Sequence, residues 1–152
     1  FNINVFLNEK CKDAININDF VNKIHIGISE LDYATNQGLV EGVSDILARN
    51  LKQMEIEKRP IHCTDVKNKI LYIKDQNEWN KDNEQIVSDT IKNVKNKHIE
   101  AMQKWENENP NWRRDHKQTD RYIELIKKST QELDEEERNR ILDAVSKETE
   151  IK

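Results

Sequence analysis

Two cysteines and four histidines are the side chains of this chain best suited to nucleophilic or metal chemistry. Cys11 and Cys63 are too few and too far apart for a disulfide framework or a four-ligand zinc site. A Cys–His nucleophile pair would join His62 or His116 to Cys11 or Cys63, and no spacing selects one of these pairings. His62 directly precedes Cys63 in a stretch that reads as a strand, so the two point to opposite faces and are poorly placed to chelate one metal. His98 falls on the apolar stripe of a long helix and is expected to be a hydrogen-bonded core residue. His116 and Asp120 stand four apart on a helix, a metal-binding geometry that lacks a third ligand. Asp65, Asp75 and Asp82, with Lys67, Lys69 and Lys74 nearby, have a composition that permits a Mg²⁺-dependent nuclease centre, and the ordinary reading of the same residues is a solvated hairpin. Gly27, Gly38 and Gly42 fit neither Gly-rich phosphate-loop pattern.

Aromatic and basic residues interleave in two places. Tyr72 and Trp79 sit among Lys67, Lys69, Lys74 and Lys81, and Trp112 stands beside Arg113, Arg114 and Lys117. Such rings stack on bases while the cations hold phosphates, or else they anchor a core with one wet edge. Net charge is −4 over residues 1–57, +3 over 58–104 and −3 over 105–152. Nucleic acid would therefore meet a local patch of Lys67, Lys69, Lys74, Trp79, Arg113 and Arg114, not a basic domain. The more frequent explanation of the middle excess is a solvated surface.

The 152 residues predict one domain, 1–152, with a possible N-terminal subregion 1–57 and a helical C-terminal part 82–150. A hydrophobic fraction of 35% and a mean hydropathy of −0.97 predict a thin core. No apolar run approaches a membrane span, no signal-peptide pattern stands at the start, and the sparse cysteines suit a reducing compartment. The start at Phe1 points to a piece of a longer protein. One helical turn is expected around Phe6, Leu7 and Cys11. A helix over 19–28 capped by Asn18 would bury Phe20, Ile24 and Ile28, and a short restart from Ser29 and Asp32 would carry Leu31 and Tyr33. After Asn36-Gln37-Gly38 comes a helix with Leu39, Val43, Ile46, Leu47, Leu51 and Met54 on one face, where Gly42 would let another element approach closely. Beyond Arg59-Pro60, Ile61–Cys63, Lys69–Lys74 and Glu78–Trp79 read as a small antiparallel hairpin or three-stranded insert around residues 60–80. Asp82 with Gln85 would start a long helix to about 107, with Val87, Ile91, Val94, His98, Met102 and Trp105 as its stripe. A helix with Tyr122, Leu125 and Ser129, then one capped by Asp134 and Glu137, complete a mainly α fold.

The run from Arg59 to Trp79 is similar to a segment in proteins of the nucleocytoplasmic large DNA viruses, the giant viruses. There an Arg-Pro-Ile-His-Cys-Ser/Thr-Asp block, here Arg59–Asp65, leads into Leu-Tyr-Ile/Val-Lys-Asp, here Leu71–Asp75, and then a Trp. Gly38–Ile46 upstream, and Trp105–Pro110 with Asp120–Ile123 downstream, extend the similarity to roughly residues 15–130. Such proteins carry a C2H2 zinc-finger-like segment, then a helical stretch, then this domain. The finger's Cys and His pattern does not occur here, so no zinc or DNA contact carries over, and no catalytic role or cofactor is implied for Arg59, Pro60, His62, Cys63, Asp65, Tyr72, Asp75 or Trp79. The resemblance implies the C-terminal domain of a viral zinc-finger-type protein, at work in host cytoplasm, virus factory or virion. The expected function is a non-enzymatic interaction module that binds a protein partner or itself, away from membranes. The alternatives are direct nucleic-acid binding and, more remotely, a metal-dependent nuclease.

Overall fold

The computed structural model describes residues 1–82 and 84–151. The chain is mainly α-helical with a small three-stranded antiparallel sheet. A short α1 (Ile3–Val5), capped by the Asn2 side chain, runs into a π-helical turn (Phe6–Lys10). Next comes α2 (Ile17–Lys23), which starts two residues earlier than the sequence suggests and stops earlier too. Ile24 leaves the helix in an extended conformation that buries its own side chain, and Ile28 ends up exposed. α3 (Ile28–Gln37) begins at Gly27, whose N–H donates to Glu30 Oε2 at 3.2 Å, so Ser29 lies inside the helix instead of capping it.

Gly38, at φ 96°, ψ 159°, turns the chain directly into α4 (Leu39–Lys52) through backbone that side-chain-bearing residues avoid. The expected apolar face forms: Leu39, Val43, Ile46, Leu47 and Leu51 are buried. At Gly42 a Cβ would stand 2.8 Å from Ala34 Cβ, so α3 and α4 pack with almost nothing between their backbones, as the glycine predicts.

The strands are β1 (Ile61–Asp65), β2 (Ile70–Asp75) and β3 (Glu78–Lys81), in that spatial order. Gln76 and Asn77 both have positive φ and close a two-residue hairpin between β2 and β3. Alternation gives the sheet two chemically distinct faces. Ile61, Cys63, Leu71 and Ile73 join the main core. His62, Tyr72, Lys74 and Trp79 share the other face, where residues of the N-terminal segment lie against it. The free edge of β1 is closed by a parallel bridge from Cys63 to Glu150, with Ile151 N–H donating to Cys63 O at 2.9 Å. β3 is the other edge.

α5 (Gln85–Glu108) begins after Glu84, which sits at φ 75°, and Asp82 Oδ1 accepts from Glu84 N–H. This helix packs against α2, α3 and α4 with Val87, Ile91, Val94, His98 and Met102 buried. Asn109 and Pro110 end it. α6 (His116–Thr130) starts at the Asp115 cap, and α7 (Glu135–Thr149) starts at the reciprocal Asp134–Glu137 capping box that the sequence predicts. α7 lies along α4 and also touches β1. One cluster of buried apolar side chains runs from Ile17 to Val145; Leu7, Cys11 and Ala14 are buried outside it.

Candidate functional site

The outer face of the sheet gathers the reactive side chains. Cys11, carried there by the end of the π-helical turn, places its Sγ 3.6 Å from His62 Nε2. Fifty-one positions separate the two, so no local pattern announces the pair. His62 is 1% exposed and Cys11 is fully buried. The imidazole meets the Phe6 ring edge-on at 5.1 Å between centroids and the Trp79 indole at 5.6 Å. Phe1 extends this ladder of rings, 5.7 Å from Phe6.

Both members of the pair are neutral. Burial pushes the Cys11 thiol up to about 11, with Glu57 adding to the rise and Lys74 opposing it. Burial pulls His62 down to about 4, helped by the Arg59 cation and resisted by the Ile56 carbonyl. A catalytic Cys–His pair works as a thiolate beside an imidazole or imidazolium. Here the thiol keeps its proton, and no surface opening reaches the sulfur.

Lys74, assigned by its sequence neighbours to a basic patch, faces inward. It is 7% exposed, and its ammonium donates to Lys12 O at 2.9 Å and Ala14 O at 2.8 Å. As folded it pins the N-terminal segment to the sheet and offers no charge to a phosphate. Lys67 is exposed in the turn after β1, and Lys69, partly exposed at φ 54°, sits beside the first turn of α7. Arg113 and Arg114 are exposed beyond the end of α5, with the Arg113 guanidinium 4.9 Å over the Trp112 ring. Between the two groups stands a helix of 24 residues, about 36 Å at 1.5 Å per residue. The six residues thus make two separate places, not one patch.

The three carboxylates do not form a metal centre. Asp65 and Asp75 occupy opposite ends of the sheet, and Asp65 spends both oxygens on the Asn68 backbone and side chain, which holds it below the usual carboxylate range. Among the described residues no three His, Cys, Asp or Glu side chains are placed to hold a metal ion. His116 and Asp120 are both exposed on α6.

The remaining block residues hold the fold together. Arg59 donates to Met54 O and, from Nη1, to Glu148 O at 3.1 Å, tying the entry to β1 to the end of α7. Pro60 is buried, and its carbonyl accepts from Lys74 N–H at 2.9 Å. Cys63 lies in the main core, where burial raises its thiol. Asp75 pairs with Glu78 at the hairpin, and Tyr72 is half-buried opposite His62. His98 Nδ1 donates to Val94 O at 3.0 Å, while Nε2 lies over Gly42 without a partner and burial lowers its proton affinity. His98 is the core histidine expected, with only half of its hydrogen-bonding capacity used.

No described helix is long and apolar enough to cross a membrane. Compared with protein-family models, curated proteins and solved structures, the chain matches none.

Proposed function

We propose that this chain is the C-terminal domain of a giant-virus zinc-finger-type protein and acts as a non-enzymatic interaction module that pairs with a second copy of itself. The observation that carries the reading is an apolar surface at the N-terminal end of the ring ladder. Val5, next to Phe6 in the chain, is 46% exposed, and Ile56, whose carbonyl reaches His62, is 59% exposed. Large side chains left in water together mark a surface that a partner covers. Glu9 and Lys10 follow Val5 closely in the chain, and Glu55, Glu57 and Lys58 flank Ile56, all of them exposed. An isologous interface places the same patch on both sides, so it needs both signs of charge in that patch, as this one has.

Two further features support the reading. The Cys11–His62 pair is neutral and closed, which favours binding over catalysis. The residues quoted for the viral resemblance, Arg59 through Trp79, build the sheet and its clamps instead of converging on an open cleft. Work inside the infected cell, away from membranes, is the setting this proposal implies.

Sedimentation velocity over the micromolar range tests it. A dimer that strengthens with concentration is expected. Val5→Ser with Ile56→Ser should shift it to monomer with the helical circular dichroism of the wild type retained, because both side chains are exposed. A wild-type chain that stays monomeric throughout overturns the pairing.

A further inference from the structure

We propose that Cys11 is a covalent modification site for small disulfides, masked by residues 1–10 and served by His62 as its base when that segment lifts. The argument starts from how unevenly the N-terminal segment is held. Within residues 1–10 only Leu7 is buried, and Leu7, Cys11 and Ala14 stand outside the main apolar cluster. Few buried contacts make a segment open locally at a small fraction of the global unfolding free energy.

From Lys12 onward the hold is much firmer. Lys74 grips Lys12 O and Ala14 O, Ile15 N–H donates to Lys58 O at 3.1 Å, and Asn16 exchanges two hydrogen bonds with Asn77. Cys11 is the boundary between the weak part and the strong one. When residues 1–10 lift, Phe6 leaves the edge of the imidazole while Cys11 stays tethered at the mouth, its sulfur still in reach of His62 Nε2. The Trp79 ring, 5.6 Å from the imidazole, stays with the sheet as its other wall.

The closed pair is neutral because burial disfavours both charges, and wetting returns each group toward its ordinary value. The Cys11 S–H proton then passes to His62 Nε2, and the thiolate attacks one sulfur of the disulfide. The reagent's S–S bond breaks, a new one forms to Cys11, and the departing thiolate carries away the electron pair. The disulfide is the only oxidant required. Cys63, in the main core on the opposite face, is the internal control.

The test is site-by-site labelling of the wild-type chain, diluted below the concentration at which it pairs, with the aromatic disulfide dithiobis-nitrobenzoate, followed by peptide mass. Cys11 is expected to react at least about tenfold faster than Cys63 in buffer, with little dependence on low urea. Ile141→Ala, a core change remote from the segment, should accelerate Cys63 and leave Cys11 unchanged. The Cys11 rate should rise with pH through the imidazole range, and in His62→Gln the rise should move toward the ordinary thiol value of about 8.5. The shape of that profile does not depend on how far the segment opens, so it separates base from cover. Both cysteines reacting at one rate with one urea dependence would overturn the local opening, and an identical pH profile in His62→Gln would overturn the role of His62.

Discussion

His62 stays uncharged because burial, with two aromatic rings against the imidazole, disfavours its charged form, and the Arg59 cation adds to that cost. A stability consequence follows. Its folded proton affinity, near 4, lies below the ordinary 6.5, so between those values the unfolded chain binds a proton that the folded chain refuses. The contribution is complete above about pH 6.5 and is lost progressively as pH falls toward 4, and His98 acts in the same direction. Urea midpoints measured across that window should fall on acidification, and His62→Gln should flatten part of the slope. Parallel curves for the two proteins would count against His62 as the source. Alternation along Ile61–Cys63 makes the opposed directions of His62 and Cys63 legible in the sequence. The partnership with Cys11 is one of the pairings the composition allows but does not select, and the burial of Lys74 is not legible at all, because each depends on a segment some 50 to 60 positions away folding onto the sheet. A lysine in a strand carries no mark that its ammonium will meet two carbonyls instead of water.

Among the elements, strands and long helices follow from their side-chain patterns, and boundaries fail where one buried residue outweighs local propensity. Ile70–Asp75 reads as a strand from its β-branched and aromatic residues, and α5 from its stripe at helical spacing. The start of α2 at Ile17 and its end before Ile24 are different, since both isoleucines are buried by tertiary packing that no capping residue signals. The α3–α4 contact makes the sharpest prediction at this scale. Alanine at an exposed mid-helix glycine usually stabilises by about 1 kcal/mol. At Gly42 the added methyl would meet Ala34 Cβ at 2.8 Å and its Cα at 3.2 Å. Gly42→Ala should therefore destabilise, by about 1–3 kcal/mol in denaturant unfolding, as the helices move apart. A stabilised Gly42→Ala protein would contradict the packing described here.

Charge is dispersed across the molecule as a whole. The two basic–aromatic groups stand at opposite ends of α5, and one cation of the first is turned inward. Any duplex DNA binding should consequently be weak, with a salt slope no steeper than about −3, the value for about three phosphates contacted from one end. Fluorescence anisotropy at two salt concentrations would show this, and a slope of about −4.5 would mean that the five cations of the two groups, Lys67, Lys69, Lys74, Arg113 and Arg114, act together after all. That dispersal was hidden in the sequence, where Lys67, Lys69 and Lys74 look like neighbours; Lys67 and Lys69 lie in the turn before β2, Lys74 near its far end under the N-terminal segment, and a helix carries Arg113 away. The sheet is also sealed from both extremes of the chain. Phe6 and Cys11 cover its outer face, and Glu150 with Ile151 closes the edge of β1. During synthesis, β1 to β3 therefore leave the ribosome long before their edge can be closed, and the hairpin must wait with unpaired backbone until residue 151 has been made.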